Sequence, residues 1–527
     1  MTSKHEARLF VLTGLCAIAL ACGIQLIVAG ASHAQGRAPK GTLAPVPAED
    51  LNWPLPPGID KSYDAVDGNK LHSYVDELAA ISERYRDAGN QLWGRIDGTS
   101  SMVEAQKWLK AKFDAIPGVT TQVVTIPDPR DLPKSWEVSV LANGKTVKLE
   151  SAFTPIDFTQ SVPSMKGDEE LDAVWVGLGQ ESDFLGRDVR GKAVFIYSIA
   201  PVGNLVQSAD YFNAVGRAER AGAAALLVDI AIPGNGQYVS HIDGQRVPGL
   251  KIPIFTIGDR DGATVQELYA ANRGNGVKAH LRWEVESHPD ATEDIVVAKL
   301  PGMTDEKIIS LAHMDGYFDA SIDDGGGTAT LIGTAEFFAK MPKEQRRRTM
   351  YFVSVADHHD RDRSGQWLHD SMKSIFAKTV FINNMEHPSV RLTAWDREPL
   401  PGGGYKVVLV QTNGRNATWW GVYGSDKLAH IVAHDYAMFG IVSDFEMGGM
   451  GGQIDKVEWD APSMYVDNKN VYFHANEDTP DKVPASTLRN YVQACAKIYN
   501  DINKLDLVDL EAPPSERPGA AEHDQGQ

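Results

Sequence analysis

From Ile295 onward the chain alternates short apolar runs with segments of helical period, and that alternation restricts the folds open to it. Ile295 to Ala298 and Ile308 to Leu311 read as buried strands. A helix with Leu331, Ala335 and Phe338 on one stripe runs to Lys340. The strand Met350 to Val355, a helix near Ser364 to Phe376 and the strand Val380 to Ile382 follow. Strands and helices in this order predict an α/β fold, a mostly parallel twisted sheet with helices on both faces. In such sheets, sites form beyond the carboxyl ends of strands, near helix N-termini.

Those ends carry ligand-type residues. The strand from Lys307 delivers His313 and Asp315, two residues apart, and Asp323 with Asp324 precedes the next helix. Ala356-Asp357-His358-His359-Asp360 follows the strand ending at Val355, and Asn384-Met385-Glu386-His387 follows Ile382. His474 lies in Val471-Tyr472-Phe473-His474-Ala475-Asn476-Glu477-Asp478-Thr479. Imidazole and carboxylate at one sheet edge suit a zinc-type ion. Two ions about 3.5–4 Å apart need a shared carboxylate and further ligands on each side. Each residue also has a plainer reading. His313 and Asp315 can be a satisfied strand-end pair, and Asp323 or Asp324 a helix cap. His358 and His359 can be ordinary loop histidines, and Glu386 a solvated carboxylate. Trp419, Trp420 and Tyr423 suit core packing better than a substrate pocket. Gly448 to Gly452 lacks the Lys-Ser/Thr of a phosphate loop.

Taken in order, these segments resemble the co-catalytic zinc aminopeptidases of the group containing glutamate carboxypeptidase and the transferrin receptor. The resemblance covers most of the chain after its N-terminal segment. It implies a zinc-exopeptidase-like fold, a pair of divalent ions, a peptide or small amide as substrate, and hydrolysis of an amide bond at a peptide N-terminus. His313 matches the metal-binding His of the H-x-D motif, and Asp315 the Asp that orients it. Asp323 matches the bridging carboxylate, Glu386 the carboxylate of N-x-D/E, and His474 the last ligand. One departure stands out. The family has Glu-Glu after the third strand, a general base and then a metal ligand, where this chain reads Asp357-His358-His359. The simplest alignment makes Asp357 the base and His358 a ligand. A shifted one places His359 and Asp360 there. The departure keeps two other readings open: a binding protein on the same fold with a broken site, and a non-peptide amidase or acyltransferase.

The remaining chain divides by style. Leu71, Val75 and Leu78 mark one helix. Met102, Ala105, Leu109 and Phe113 mark another, with Ser101 as its expected cap, and Thr120 to Ile126 is β-like. Residues 151–290 turn to short β runs (Val174 to Val176, Ala193 to Tyr197, Ala225 to Val228, Ile252 to Ile257). One helix, Tyr211 to Ala221, ends at Gly222. Val194-Phe195-Ile196, the Ala218 to Ala224 turn and Ile252-Pro253-Ile254 resemble a protease-associated domain, implying a β-rich α+β insert. The expected division is a first part of the peptidase-like domain at 61–150, this insert at 151–290 and the metal-binding core at 291–508. A disordered tail at 509–527 completes it.

Lys4 and Arg8, an apolar run from Leu9 to Ala31, and Ser32-His33-Ala34 before Gln35 predict a signal peptide cleaved after Ala34. An extended arm, 35–60, follows. The expected location is periplasmic or secreted, with no membrane attachment after cleavage. Only Cys495 remains beyond residue 34, so no intramolecular disulfide is expected. A formal net charge of −19 with no basic tract argues against nucleic acid as a partner.

Overall fold

The computed structural model describes residues 58–153, 164–199, 211–239, 251–359, 363–415, 418–441, 443–447, 461–468 and 470–513. The expected signal peptide, all but the last residues of the expected arm, Asp360, Gly448 to Gly452 and most of the expected tail lie outside these residues.

An eight-stranded sheet organises the site. Its spatial order is Ser443–Met447, Thr418–Tyr423, Ser463–Asp467, Thr379–Glu386, Lys307–His313, Thr349–Val355, Thr292–Leu300 and Thr120–Pro127. The central strand, Lys307–His313, runs parallel to both neighbours, and Thr379–Glu386 runs parallel to Ser463–Asp467. The strands next to this centre on either side are antiparallel to it. Register brings the carboxyl ends level: His313 pairs with Val355, Leu311 with Asn384, and Glu386 with Asp467.

Both faces of the centre are covered, as near-continuous apolar strands require. Ile309, Leu311, Val353, Val355 and Ile382 pack with Leu368, of the helix Arg363–Ser371, and Phe376. On the opposite face, Ser310 and Asn383 bond the Tyr499 hydroxyl of the helix Ala485–Ile502. The helix Gly326–Ala339 is buried almost throughout, between the sheet and the helices Gly68–Asp87 and Ala485–Ile502. Its Leu331, Ile332 and Phe338 are each 0% exposed, worth about 1.5–3 kcal/mol apiece in transfer free energy. Gly68–Asp87 starts where the Asp67 carboxylate accepts from the Asn69 and Lys70 amides. Ser100–Asp114 is capped by Thr99, whose hydroxyl accepts from the Met102 amide. The expected cap, Ser101, lies inside that helix and bonds the Gly94 carbonyl instead.

A seven-stranded sheet forms the second layer. Its order is Lys145–Lys148, Arg130–Ala142, Lys278–His288, Lys166–Trp175, Ala193–Ser198, Ala225–Ile230 and Ile254–Gly258. The first four strands pair antiparallel and the last four parallel. The helix Tyr211–Arg220 stops where Gly222 takes φ +90° and Ala223 N–H reaches the Ala218 carbonyl. A further helix, Asp259–Ala271, had no counterpart in the sequence reading. The sheet begins at Arg130, ahead of the expected border at residue 151. Arg130–Ala142 pairs along its length with Lys278–His288, a long-range match that local pattern does not reveal.

Strands Arg391–Pro399 and Tyr405–Arg415 pair with each other. Among the described residues, 396–408 group apart from the rest, and the chain turns there at Leu400 and Gly404. No helix among the described residues is long and apolar enough to cross a membrane.

Candidate metal centre

One carboxylate lies at the middle of the level strand ends. Asp323 Oδ1 is 3.0 Å from His313 Nε2 and 3.1 Å from His387 Nε2. Its other oxygen, Oδ2, is 3.3 Å from His359 Nε2 and 3.4 Å from His474 Nε2. Four imidazoles thus approach one carboxylate, two on each oxygen. Glu386 joins the first pair: potential ligand atoms of His313, Asp323, Glu386 and His387 lie within 4.8 Å of one another, as do those of Asp323, His359 and His474 and those of His313, His358 and His359. All of these side chains except that of His358 are buried.

These contacts do not have hydrogen-bond geometry. Nε2 of His313, His359 and His387 and Oδ1 of Asp323 have no hydrogen-bond partner among the described residues. Buried polar atoms are nearly always bonded, so convergent lone pairs left over at one point fit a cation. Burial resists charge on the rings, yet the neighbouring carboxylates outweigh it. They hold His313 and His387 well above the ordinary histidine value and His359 at about 9. The pocket draws positive charge, and a divalent ion supplies it with the ring nitrogens deprotonated.

Three of the rings are fixed from behind. Asp315 Oδ1 is 3.3 Å from His313 Nδ1, and the Asp315 carbonyl is 2.9 Å from the same nitrogen. Asp315 Oδ2 is 2.8 Å from His359 Nδ1 and accepts the His359 backbone N–H at 3.1 Å. Asp467 Oδ1 is 3.1 Å from His387 Nδ1. A carboxylate behind an imidazole sets its tautomer and aim, the usual support of a metal-binding histidine.

The loop from His313 to Asp323 is held equally closely. Arg95 is fully buried, and it donates to the carbonyls of Met314, Asp319 and Ala320. Asp478 accepts the backbone N–H groups of Ile322 and Asp323. Asp324 accepts from Gly327 at the start of the helix and from the His387 amide. The two aspartates therefore divide the expected tasks, Asp324 capping and Asp323 facing the imidazoles. A Cβ on Gly327 would lie 2.0 Å from Asp324 Oδ2, so this approach needs glycine. Of eight described non-glycine residues with positive φ, five belong to these loops: Phe318, Ala320, Asp357, His387 and His474. Such backbone costs about 1–3 kcal/mol each and gathers at functional sites.

The segment after Val355 departs from the simplest expectation. Asp357 takes φ +55°, and its carboxylate accepts from the Arg363 and Ser364 amides and the Ser364 hydroxyl. It caps the helix Arg363–Ser371 and belongs to neither ligand group around Asp323. His358 Nε2 stands 3.4 Å from Glu386 Oε1, with its ring 4.6 Å from that of His313. His359, which the simplest alignment left without a role, stands in two of the groups that could hold an ion. His387 was also missed; its only signal was adjacency to Glu386 at a strand end. Trp420 is core, its ring 5.4 Å from that of Tyr436.

No family model matches the sequence, and comparison with curated proteins finds no relative. Solved structures do share the fold. The peptidase M28 precursor of Shewanella amazonensis superposes with a TM-score of 0.62 at 16% identity, over 88% of this chain and 97% of that one. The zinc aminopeptidase BSAP of Bacillus subtilis gives 0.56 at 15%, over 85% and 98%. An aminopeptidase from Aneurinibacillus sp. strain AM-1 gives 0.51 at 14%, over 83% and 94%. The chain has the fold of zinc aminopeptidases along nearly its whole described length.

Proposed function

We propose that this chain is an exported, zinc-dependent hydrolase of amide bonds that removes N-terminal residues from peptides. The observation that carries the reading is Asp323, with two imidazoles on each carboxylate oxygen. Two ions would be held there, one by His313, His387, Asp323 and Glu386, the other by Asp323, His359 and His474. Bound zinc supplies a Lewis acid for the scissile carbonyl and lowers the pKa of water. Asp315 and Asp467 keep the rings aimed, and Asp478 keeps Asp323 in place. His358, held neutral by burial, accepts a proton and returns it to the leaving amine. The fold shared with two aminopeptidases and a peptidase M28 precursor supports the substrate class.

Elemental analysis of the purified chain should find two zinc ions, and aminoacyl amides should be cleaved in a manner abolished by chelation. A chain that holds zinc yet cleaves nothing across aminoacyl and N-acyl amides would instead be a binding protein. Cleavage of N-acyl amides alone would mark a non-peptide amidase.

The Ala34-Gln35 junction places the chain in the periplasm or outside the cell in this reading. N-terminal sequencing of the exported protein should begin at Gln35; a membrane-bound product starting at Met1 would contradict it. The seven-stranded layer is the counterpart of the protease-associated insert. The parallel run of Ala193–Ser198, Ala225–Ile230 and Ile254–Gly258 supports that assignment.

A further inference from the structure

We propose that Asp97 and Arg130 are positioning residues for His358: they close a ring of polar contacts around the left-handed turn that aims its imidazole. The inference rests on the reading of His358 as proton acceptor and adds to it two residues far from it in sequence. His358 follows Asp357, which sits at φ +55°. A residue with a Cβ keeps such a backbone only where its surroundings hold it. Asp357 is held at both ends. Its N–H donates to Asp97 Oδ2 at 3.1 Å, and its Oδ2 accepts the Arg363 N–H at 2.8 Å. These two holders are themselves joined. Arg130 Nη1 is 3.7 Å from Asp97 Oδ2, Arg130 Nη2 pairs with Asp128, and Asp128 Oδ1 is 3.0 Å from Arg363 Nη1. The circuit from Asp357 through Asp97, Arg130, Asp128 and Arg363 thus returns to Asp357. Glu293 braces it from the side, its Oε2 3.7 Å from Arg130 Nη2.

Asp97, Asp128, Arg130 and Glu293 are all buried. Buried ion pairs add little net stability, because desolvation offsets the attraction, so such a ring is better suited to fixing one geometry. Its place in the chain fits that task. Asp97 precedes the helix Ser100–Asp114, two residues after Arg95, which holds the His313–Asp323 loop. Asp128 and Arg130 lie where the chain leaves the eight-stranded sheet for the seven-stranded one, and Glu293 where it has returned. Without the bond to Asp97, Asp357 can relax toward negative φ, and that re-aims the next side chain. His358 Nε2 stands 3.4 Å from Glu386 Oε1, and a displacement of about 1 Å at a reacting group costs on the order of 10²-fold in rate.

The test is a double-mutant cycle on the full-length protein with an aminoacyl amide as substrate. Circular dichroism checks the fold of each variant, and elemental analysis its zinc. Asp97→Ala should lower kcat by about 10–100-fold, with KM and zinc content little changed. In a His358→Ala background the same change should cost almost nothing further, because no base is left to aim. Hydrogen exchange read by mass spectrometry should be faster in the segment after Val355 in Asp97→Ala. Asp97→Asn can offer its amide oxygen to the Asp357 N–H, so it should recover most of the rate and the slow exchange. If Asp97→Ala does not fold, Asp97→Ser, too short to reach that N–H, carries the test with the same expected results. An undiminished kcat, unchanged exchange, an equal loss in the His358→Ala background or no recovery in Asp97→Asn overturns the inference and leaves the hydrolase reading intact. So does a His358→Ala protein with full turnover. A parent that cleaves no aminoacyl amide overturns both.

Discussion

Replacing His358 with alanine should slow cleavage of aminoacyl amides by roughly 10²–10⁴-fold, the usual cost of losing a general base, while zinc content changes little. Burial lowers the pKa of this ring, which favours the neutral, proton-accepting form. Its side chain is 16% exposed, more than those of the imidazoles around Asp323. Its near carboxylate neighbour is Glu386, not the shared Asp323. Added imidazole should restore part of the lost rate, which a purely structural role would not allow. Asp357→Asn is the matched control. Its carboxylate is engaged at the helix start, and burial raises its pKa to about 6. The amide retains one acceptor, so the variant should lose about 0.5–2 kcal/mol of stability at most and keep its rate. A folded Asp357→Asn protein without activity would reverse the assignment. Loss of zinc in His358→Ala would make His358 a ligand, as the simplest alignment has it.

Asp315→Ala should weaken both ions, the one at His359 by about 10–100-fold and the one at His313 by less, because His313 Nδ1 keeps its bond to the main-chain carbonyl of residue 315. A single carboxylate stands behind His313 with one oxygen and behind His359 with the other. These rings belong to different ion positions, so removing their common support loosens both. Asp315→Asn leaves one acceptor oxygen and an NH₂ group facing the opposite ring. It should spare one position more than the other, and metal content measured at graded chelator strength would separate the two effects. A loss confined to one ion in Asp315→Ala would show that the second ring is fixed by something else.

The sheet was legible because its central strands are continuously apolar and separated by helices, so period and length both identify them. The positions of His313, Glu386 and Asp323 could be read because the first two end strands and the third opens a helix, whereas His474 sits in a turn. The task of Asp357 could not be read. A left-handed residue just past Val355 turns its carboxylate to the helix start, and nothing in Asp-His-His announces that turn. His387 is similar: its neighbour Glu386 already satisfied the motif, and only the third dimension brings Asp467 up behind the ring. The start of the second sheet at Arg130 depends on a partner strand that begins at Lys278. Local pattern carries no information about such a partner.

The seven-stranded layer reaches the centre through main chain. Val239 N–H bonds the carbonyl of His474, Asn476 N–H bonds the carbonyl of Gln237, and Tyr238 pairs with Ala475. Main-chain bonds are indifferent to side-chain identity, but this strap is also packed: Tyr238, Val239 and Ala475 are buried, and Asn476 Oδ1 accepts the Gln237 N–H. Insertions, deletions and proline shift or remove the amides themselves, so the strap should hold its length most strictly of all and drift in composition only at its partly exposed positions.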